Sequence, residues 1–517
     1  MSNGWSRKIF LCPDEPTEDD FRPDTERILD ELRKSGIPDS EPVRFSLKAL
    51  RSLYPLCPDA GWKFTVTLAY DGRGWEITRL EAGDTTTVHY GLCADMGSTT
   101  LVMQLVDMES GQVMAQTDEF NPQIAWGTDI LTRIFYAKDY PDRLHRLQEA
   151  VVEGFQKLIR QLEADTGVDI SGCAALIVSG NTTMIHFLLG LDAFCVFHTP
   201  YAVRTLEPDP VWAGELKLPI DGYVYCVPGK ANYLGGDIIS GVLAAQIADQ
   251  PEISVFLDIG TNGELVVGNQ DFLLAGAGAA GPALEGGVVK TGMRAEPGAV
   301  DRVSIRKGSF QVHTIGNRPP KGICGSGIVE LLAEMYLHGW MDFRGKLVPE
   351  ASCQIKNAEG RELAAEYAPG LFFFQSDIDE FLKTKAAACT MVEYMLQVIG
   401  LSMEDISYFY VAGAFGTHID KEAGVTIGLY PDIDRDRIIS PGNTSLFGAR
   451  MMLLNRNLKE KAKELIETMD YVQFGAVDDF LHLMVAATAV PHTDFSRYPS
   501  VMRRQKEIQS KNKESHL

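Results

Sequence analysis

Residues 95–100 read Asp-Met-Gly-Ser-Thr-Thr, and residues 258–263 read Asp-Ile-Gly-Thr-Asn-Gly. Each stretch lies between two short apolar runs, which predicts a strand, a tight turn and a second strand. Strand and helix patterns alternate after both copies. The repeat therefore predicts an α/β protein built from two related lobes, each containing a mixed sheet.

The chemistry of both turns suits the binding of phosphate. Gly97 and Gly260 let the backbone approach a ligand closely, and the N–H groups of a tight turn point into one space. Asp95 and Asp258 stand where carboxylate, phosphate and water oxygens would hold Mg²⁺. We expect the two turns to clamp a polyphosphate from both sides. The predicted contacts are Gly97, Ser98, Thr99, Thr100, Gly260, Thr261, Asn262 and Gly263.

Three strand–helix junctions add candidate nucleotide contacts. Asn181 lies in the first, just after an apolar run. The second opens a helix, where free N–H groups could meet ribose or phosphate, although close packing of two backbones also explains its glycines. The sequence has no Gly-x-x-x-x-Gly-Lys-[Ser/Thr] motif, so it is not a P-loop protein. The second junction contains Gly325, Ser326 and Gly327, and the third contains Gly413, Ala414, Phe415 and Gly416.

Four carboxylates are candidate catalytic groups: Asp95, Asp258, Asp237 and Glu264. Asp237 follows two glycines and precedes an apolar helix, so it either positions water or magnesium or caps that helix. Glu264 lies beside the second turn and is either a general base or an exposed strand residue. Asp95 and Asp258 are also the expected magnesium ligands, and we expect them to bind the ion through water.

Composition argues against several classes of function. The formal net charge is −22, whereas nucleic-acid binders carry a basic face and anionic membranes repel an acidic surface. No apolar stretch reaches the roughly 18 residues that span a bilayer, and residues 1–14 lack a signal-peptide pattern. We expect a cytoplasmic protein that binds neither nucleic acid nor membrane.

The nine cysteines are widely spaced and include no Cys-x-x-Cys pair. An odd number at such spacing does not form a disulfide framework. An iron–sulfur cluster held by one chain needs closely grouped thiolates. We therefore expect no iron–sulfur cluster in this chain.

The patterns divide the 517 residues into four parts. Residues 1–89 predict a small α+β unit, and residues 90–250 predict the first lobe. Residues 251–500 predict the second lobe with a C-terminal return segment. Residues 501–517 are predicted to be a charged, solvated tail.

The motifs together resemble the acetate and sugar kinase, heat-shock chaperone and actin superfamily. Residues 95–100 and 258–263 match its two phosphate motifs, residues 179–181 match its first interlobe connection, and residues 411–416 match its adenosine motif. The resemblance implies a two-lobed actin-like (ribonuclease H-like) ATPase fold.

Within that superfamily the sequence is most similar to the reductive activators of corrinoid proteins. The similarity covers nearly the whole chain, and we expect residues 1–89 to correspond to the family's middle domain. The matching segments include residues 121–123, 127–129, 235–237, 257–265, 277–286, 292–295, 322–327 and 491–493.

This resemblance implies that ATP hydrolysis drives an electron onto a corrinoid protein, from Co(II) to the Co(I) state used in methyl transfer. It also implies a homodimer. A typical member begins with a ferredoxin-like domain that holds an iron–sulfur cluster, whereas this sequence starts in the linker and middle-domain region. We therefore expect a separate ferredoxin-like electron donor as a partner.

Three other functions fit the same predicted fold. A small-molecule kinase needs a substrate pocket with a base near the γ-phosphate. A radical-dehydratase activator needs a cluster shared between two subunits, for which Cys324 or Cys389 of each chain are candidates. A binding protein that is switched by the nucleotide would bind ATP but hydrolyse it only slowly. ATPase stimulation by a corrinoid protein, by a small substrate or by neither separates these functions, and iron content identifies the dehydratase activator.

Overall fold

The structure is a computed structural model that describes residues 3–260, 263–278, 289–358, 360, 362–474 and 480–514. Its first elements are β1 (Ser6–Leu11), α1 (Asp24–Lys34), β2 (Val43–Phe45), α2 (Leu47–Asp59), β3 (Phe64–Tyr70) and β4 (Trp75–Ala82). They are followed by β5 (Tyr90–Met96), β6 (Thr100–Asp107), β7 (Val113–Phe120), α3 (Ile130–Ala137), α4 (Pro141–Thr166), β8 (Ala175–Gly180), α5 (Thr182–Leu188), α6 (Phe194–Phe197), β9 (Val211–Trp212), β10 (Tyr223–Cys226) and α7 (Gly236–Ala245).

The remaining elements repeat the alternation of strands and helices. They begin with β11 (Ser254–Ile259), β12 (Gly263–Gly268), β13 (Leu273–Gly278), β14 (Ala299–Arg306), β15 (Ser309–Thr314), β16 (Gly322–Ile323), α8 (Gly325–Leu337), β17 (Ile355–Ala358), β18 (Glu362–Ala368), β19 (Leu371–Phe374) and α9 (Gln375–Val398). They end with β20 (Tyr408–Ala412), α10 (Gly413–His418), α11 (Lys421–Thr426), β21 (Ile438–Ile439), α12 (Thr444–Leu454), α13 (Leu458–Thr468), β22 (Met469–Gln473), α14 (Phe480–Ala487) and α15 (Pro499–Glu514).

The chain forms two compact units, and each contains two separate segments of the sequence. The first unit comprises residues 1–244 and 444–467, and the second comprises residues 245–443 and 468–517. Helices α12 and α13 therefore belong to the first unit, although they follow most of the second unit in sequence.

The start of the first unit is a four-stranded sheet in the order β1-β3-β4-β2. Phe64, Val66 and Leu68 alternate along β3 and are all fully buried, so they form the face of the strand that lies on the core. Ser46 caps α2 by accepting a hydrogen bond from the Ala49 amide, as its position before the helix predicts. The predicted α+β character of this region is confirmed.

The rest of the first unit is built on a six-stranded sheet in the order β7-β6-β5-β8-β10-β9. β5, β6 and β7 are antiparallel neighbours, whereas β8 is parallel to β5 and β10 is parallel to β8. The long helix α4 covers this sheet with a buried stripe that includes Val151, Phe155 and Leu162.

The second unit contains a six-stranded sheet in the order β21-β20-β11-β12-β13-β22. β11, β12 and β13 are antiparallel neighbours, whereas β20 is parallel to β11 and β21 is parallel to β20. This is the arrangement of β5, β6, β7, β8 and β10 in the first unit. The repeated mixed sheet that the two Asp-x-Gly motifs predict is therefore confirmed.

The C-terminal segment differs from the predicted solvated tail. Residues 499–514 form α15, in which Val501 is buried in the core of the second unit. The Gln505 side-chain amide donates to the Tyr336 carbonyl of α8 at 3.2 Å. The basic run contains few apolar residues, so its sequence pattern did not indicate that one face of this helix packs on the second unit.

No helix in the described parts of the chain is both long and apolar enough to cross a membrane.

Candidate functional site

The first predicted phosphate turn joins β5 to β6 and is tight. The Gly97 amide donates to the Thr100 carbonyl at 3.0 Å. A Cβ atom on Gly97 would lie 2.8 Å from that same carbonyl oxygen, which is closer than a side chain allows. The turn therefore requires glycine at position 97.

The carbonyl groups of residues 97, 98 and 99 in this turn each accept a hydrogen bond. The Asn121 side-chain amide donates to the Gly97 carbonyl at 2.9 Å, and Arg133 Nη2 donates to the Ser98 carbonyl at 2.6 Å. The Asn121 backbone amide donates to the Thr99 carbonyl at 2.9 Å. Among the described residues, the amides of Ser98 and Thr99 have no acceptor. These two N–H groups are the donors that a phosphate oxygen needs.

Arg133 was not predicted from the sequence, although it is the only charged residue in the apolar helix α3. Its side chain is completely buried. Arg133 Nε donates to the Gly127 carbonyl at 2.9 Å, and Nη1 donates to the Gln123 side-chain carbonyl at 3.3 Å. Burial lowers the pKa of Arg133 to about 10, so the guanidinium stays protonated at neutral pH. A buried positive charge therefore lies behind the first turn.

Asp95 is the second-last residue of β5, where the motif predicted it, and its Oδ1 accepts a hydrogen bond from the Ser445 hydroxyl at 2.7 Å. Asn181 lies beside the same strands but uses its side chain to cap α5, accepting from the Met184 amide at 2.9 Å. Because the Asn181 side-chain oxygen already accepts this hydrogen bond, the side chain could contact a nucleotide only through its NH₂ group.

The Gly235-Gly236-Asp237 segment packs against the end of β8. A Cβ atom on Gly235 would lie 2.5 Å from the Asn181 Cα atom and 2.6 Å from the Gly180 carbonyl oxygen, so glycine is needed for this approach. Asp237 lies in the first turn of α7 and accepts from the Ile238 amide at 2.9 Å. The structure thus brings Asp237 to the same edge of the first unit as Asn181.

The second predicted turn joins β11 to β12, and Thr261 and Asn262 lie outside the described residues. Asp258 is again the second-last residue of its strand and stands directly opposite Glu264 across the antiparallel pair. Directly opposite residues share one face of the sheet. Glu264 is only 8% exposed, so the alternative of an exposed strand residue is wrong.

This carboxylate pair fits a bound cation. Two carboxylates directly opposite each other on one face of a sheet offer oxygen ligands to a positive ion, which is attracted to both. Within the described ranges, no three His, Cys, Asp or Glu side chains come together as a metal site. Mg²⁺ held at Asp258 would therefore take most of its six oxygen ligands from phosphate and water.

Gly413 lies next to this carboxylate. Its φ of +82° is in the left-handed region, and a Cβ atom would lie 2.6 Å from Asp258 Oδ1 and 3.0 Å from the Ile259 carbonyl oxygen. Gly416 packs equally closely on the Val411 carbonyl, at 2.8 Å. Gly413 thus brings α10 against β11, which carries Asp258, whereas Gly416 packs α10 on β20. The side chains of Ala414 and Phe415 lie outside what the structure describes.

The contacts of Gly325, Ser326 and Gly327 favour packing over ligand binding. A Cβ atom on Gly327 would lie 2.3 Å from the Val300 carbonyl oxygen, so this glycine allows α8 to pack on β14. The Ser326 hydroxyl donates to the Asp301 carbonyl at 3.2 Å. Only the backbone at the start of α8 remains a candidate contact in this segment.

Cys324 and Cys389 are both buried, and each contacts a backbone carbonyl. Cys324 Sγ lies 3.4 Å from the Val300 carbonyl oxygen, and Cys389 Sγ lies 2.7 Å from the Gly428 carbonyl oxygen. Burial raises the pKa of Cys389 to about 11, which keeps its thiol protonated. Thiols that hold a cluster between two subunits must be thiolates at a surface, so these two cysteines do not fit that use.

Family models match almost the entire chain. Residues 252–502 match the C-terminal domain of RACo, described as the ASKHA domain, residues 90–250 match the RACo middle region, and residues 5–87 match the RACo linker region. The expectation that the N-terminal unit corresponds to the family's middle domain is therefore wrong. That unit is similar to the linker region, and the middle region is the next part of the chain.

Individual relatives agree with these matches. The solved structure of a reductive activator for corrinoid, iron-sulfur protein is 35% identical with a TM-score of 0.87, covering 97% of this chain and 81% of that one. The corrinoid activation enzyme RamQ of Eubacterium limosum is 31% identical over 71% of this chain, and the match spans 64% of RamQ. A [Co(II) methylated amine-specific corrinoid protein] reductase of Methanosarcina barkeri is 23% identical, covering 76% of this chain and 75% of that protein.

The resemblance seen in the sequence motifs is confirmed by the family models, by the high TM-score and by the repeated sheet topology. The chain belongs to the RACo family of reductive activators of corrinoid proteins, and its C-terminal part is an ASKHA domain.

Proposed function

We propose that this protein hydrolyses ATP to drive the one-electron reduction of a corrinoid protein from Co(II) to Co(I). The observation that supports ATP binding most strongly is the first phosphate turn, whose carbonyls each accept a hydrogen bond while no described residue accepts from the Ser98 and Thr99 amides. The names of its relatives support the corrinoid protein as partner.

The chain supplies the groups that ATP hydrolysis requires. In this proposal each turn binds phosphate oxygens through backbone amides, and the buried charge of Arg133 favours an anion near the first turn. Asp258 and Glu264 hold Mg²⁺ directly or through water, and the ion neutralises phosphate charge when bound. Asp95, Asp237 and Glu264 are the candidates for orienting or deprotonating the attacking water.

Coupling between hydrolysis and reduction follows from an affinity difference between two states. A nucleotide can shift an equilibrium only by its differential affinity for the two conformations. If one nucleotide state of this protein binds the reduced corrinoid protein more tightly, that state makes reduction easier. Each 59 mV or so of one-electron potential corresponds to a tenfold difference in affinity, about 1.4 kcal/mol.

The electron is proposed to come from a separate ferredoxin-like donor. One electron passes from the reduced donor to Co(II), which leaves the donor oxidised by one electron and gives Co(I). ATP is hydrolysed to ADP and phosphate in the same cycle. We infer a separate donor because the nine cysteines are widely spaced in the sequence and include no Cys-x-x-Cys pair.

Several further properties belong to the same proposal. Unpaired cysteines suit a reducing cytoplasm, and we propose that location. The resemblance also favours a homodimer. We retain the division at residues 1–89, 90–250 and 251–500 as a proposal for the functional parts of the chain, with helix α15 joined to the last part.

Stimulation of ATP hydrolysis by the partner tests this proposal. We expect slow basal hydrolysis that rises about tenfold or more with a Co(II) corrinoid protein, because a partner that stabilises one nucleotide state changes the rate of the cycle. The assay uses the methylated amine-specific and the iron–sulfur types of corrinoid protein. Each type without its corrinoid is the matched control.

The other outcomes identify the alternative functions. Stimulation by a sugar or carboxylic acid, with no response to corrinoid proteins, would indicate a small-molecule kinase. Binding of ATP without turnover would indicate a nucleotide-switched binding protein. Bound iron after anaerobic purification would indicate the dehydratase activator.

A further inference from the structure

A chain of three buried serine hydroxyls leads to the Asp95 carboxylate. The Ser445 hydroxyl donates to Asp95 Oδ1 at 2.7 Å. Ser179 Oγ lies 2.9 Å from Ser445 Oγ, and Ser240 Oγ lies 3.0 Å from Ser179 Oγ. Ser179 and Ser240 are completely buried, and Ser445 is 7% exposed. All three are in the first unit of the chain.

The carboxylate fixes the direction of every hydrogen bond in this chain. An ionised carboxylate only accepts hydrogen bonds, so the single Ser445 proton points to Asp95. The Ser445 oxygen is then left to accept from Ser179, and the Ser179 oxygen accepts from Ser240. All three hydroxyl dipoles therefore point towards the negative charge, and hydrogen bonds in such a series strengthen one another.

The packing of α12 and α7 supports this arrangement. Ser445 lies in the first turn of α12, and Ser240 lies in α7. A Cβ atom on Gly448 would lie 2.2 Å from the Ser240 carbonyl oxygen, so Gly448 allows the two helices to touch through their backbones. The close backbone contact between α12 and α7 thus fixes how near Ser445 can lie to Ser240.

From these contacts we infer that Ser445 is a positioning residue for ATP hydrolysis, which orients Asp95 through one carboxylate oxygen. This inference rests on the proposed role of Asp95 in hydrolysis. Ser445 touches neither ATP nor water in this account, so its loss misplaces the carboxylate without removing a contact to the nucleotide. The effect is expected on the chemical step and not on binding.

The first test separates kcat from KM in the full chain. Ser445→Ala is expected to lower kcat for ATP about tenfold, with the KM and the MgATP dissociation constant changed less than about threefold. Ser445→Thr keeps a hydroxyl and should recover most of the rate. Ser52→Ala is the matched control, because its hydroxyl donates to the Ala49 carbonyl at 2.8 Å, in the N-terminal sheet region. A Ser445→Ala rate within twofold of the native rate would overturn the inference.

The second test does not depend on activity. A double-mutant cycle of Ser445→Ala and Asp95→Asn is measured as shifts of the urea midpoint. If the two groups interact, the shift of the double variant is smaller than the sum of the single shifts, whereas Ser52→Ala with Asp95→Asn is additive. Additivity in the first cycle would also overturn the inference.

The two tests distinguish this inference from the proposed function. If ATP is hydrolysed but no corrinoid protein is reduced, the proposed function fails and the kcat comparison still decides the role of Ser445. If the native chain hydrolyses no ATP, both the proposed function and the positioning role are wrong, even where the cycle shows that the two side chains interact.

Discussion

Asp258→Asn is expected to lower the rate of ATP hydrolysis by about 100-fold or more, which is typical for the loss of a charged group that acts on the transition state. The substitution keeps the size of the side chain but removes its charge. Asp258 is the second-last residue of β11, stands opposite Glu264, and has Gly413 packed against its Oδ1. No larger residue at position 413 leaves room for this carboxylate.

The same variant should fold as well as the native protein. Asparagine has nearly the same size and shape as aspartate, so the packing of Gly413 on this side chain is kept and the urea midpoint should change little. Hydrolysis rate and urea midpoint are measured on the same preparation. Asp470→Asn is the matched control, since Asp470 is exposed on β22 of the same sheet. Full activity of Asp258→Asn would remove this carboxylate from the site.

Glu264→Gln distinguishes two possible roles of Glu264, as the general base or as a ligand of the cation. If Glu264 acts as the general base, its loss lowers kcat about 100-fold or more with little change in KM. If it only holds the cation together with Asp258, raising the magnesium concentration restores much of the rate.

Arg133→Gln is expected to have the largest effect on stability. The substitution removes the donors to the Ser98 and Gly127 carbonyls, which are partly buried, and leaves a gap at the fully buried guanidinium. A fully buried acceptor left without a donor costs about 1–3 kcal/mol, and because these two acceptors are only partly buried, the free energy of unfolding should fall by about 2–4 kcal/mol. The Ser98 carbonyl is then free to turn, which should weaken MgATP binding about tenfold or more.

Urea unfolding and calorimetric titration with MgATP measure these two effects. Arg133→Lys keeps the charge but lacks the planar fork that reaches several acceptors, so it should be intermediate in both measurements. Arg146→Gln on the exposed side of α4 is the matched control. If Arg133→Gln binds MgATP with native affinity, the buried guanidinium does not shape the phosphate turn.

Local patterns in the sequence predicted the two turns and the repeated sheet. The position of Asp95 and Asp258 depends on a strand, a glycine and a second strand within six residues, which are features that a short window contains. Close backbone approach also predicted the glycine at position 97. These parts of the site are encoded by neighbours along the chain.

The residues that the sequence did not reveal act across long separations. Arg133 contacts a carbonyl 35 residues away, and Ser445 contacts a carboxylate 350 residues away. A single charge in an apolar helix could have drawn attention to Arg133, because such a charge is rarely buried without partners. Nothing in the sequence around Ser445 distinguishes it from an ordinary residue at the start of a helix.

Two expectations changed for physical reasons. The charged C-terminal segment packs as a helix, because a few apolar residues such as Val501 reach the core while the basic side chains stay at its rim. Gly327 serves helix–strand packing on Val300, whereas a glycine-rich helix start alone suggests a ligand. In both cases the local sequence is compatible with exposure to solvent or ligand and with packing, and the tertiary contacts show packing.

The cobalt spectrum of a Co(II) corrinoid protein under a mild chemical reductant shows directly whether ATP hydrolysis by this protein drives the reduction. The reaction contains this protein with ATP, with ADP, or with ATP and the Asp258→Asn variant. We predict that the Co(I) band appears only with the native protein and ATP. Equal formation of Co(I) with ADP, or with the variant, would show that ATP hydrolysis by this protein does not drive the reduction.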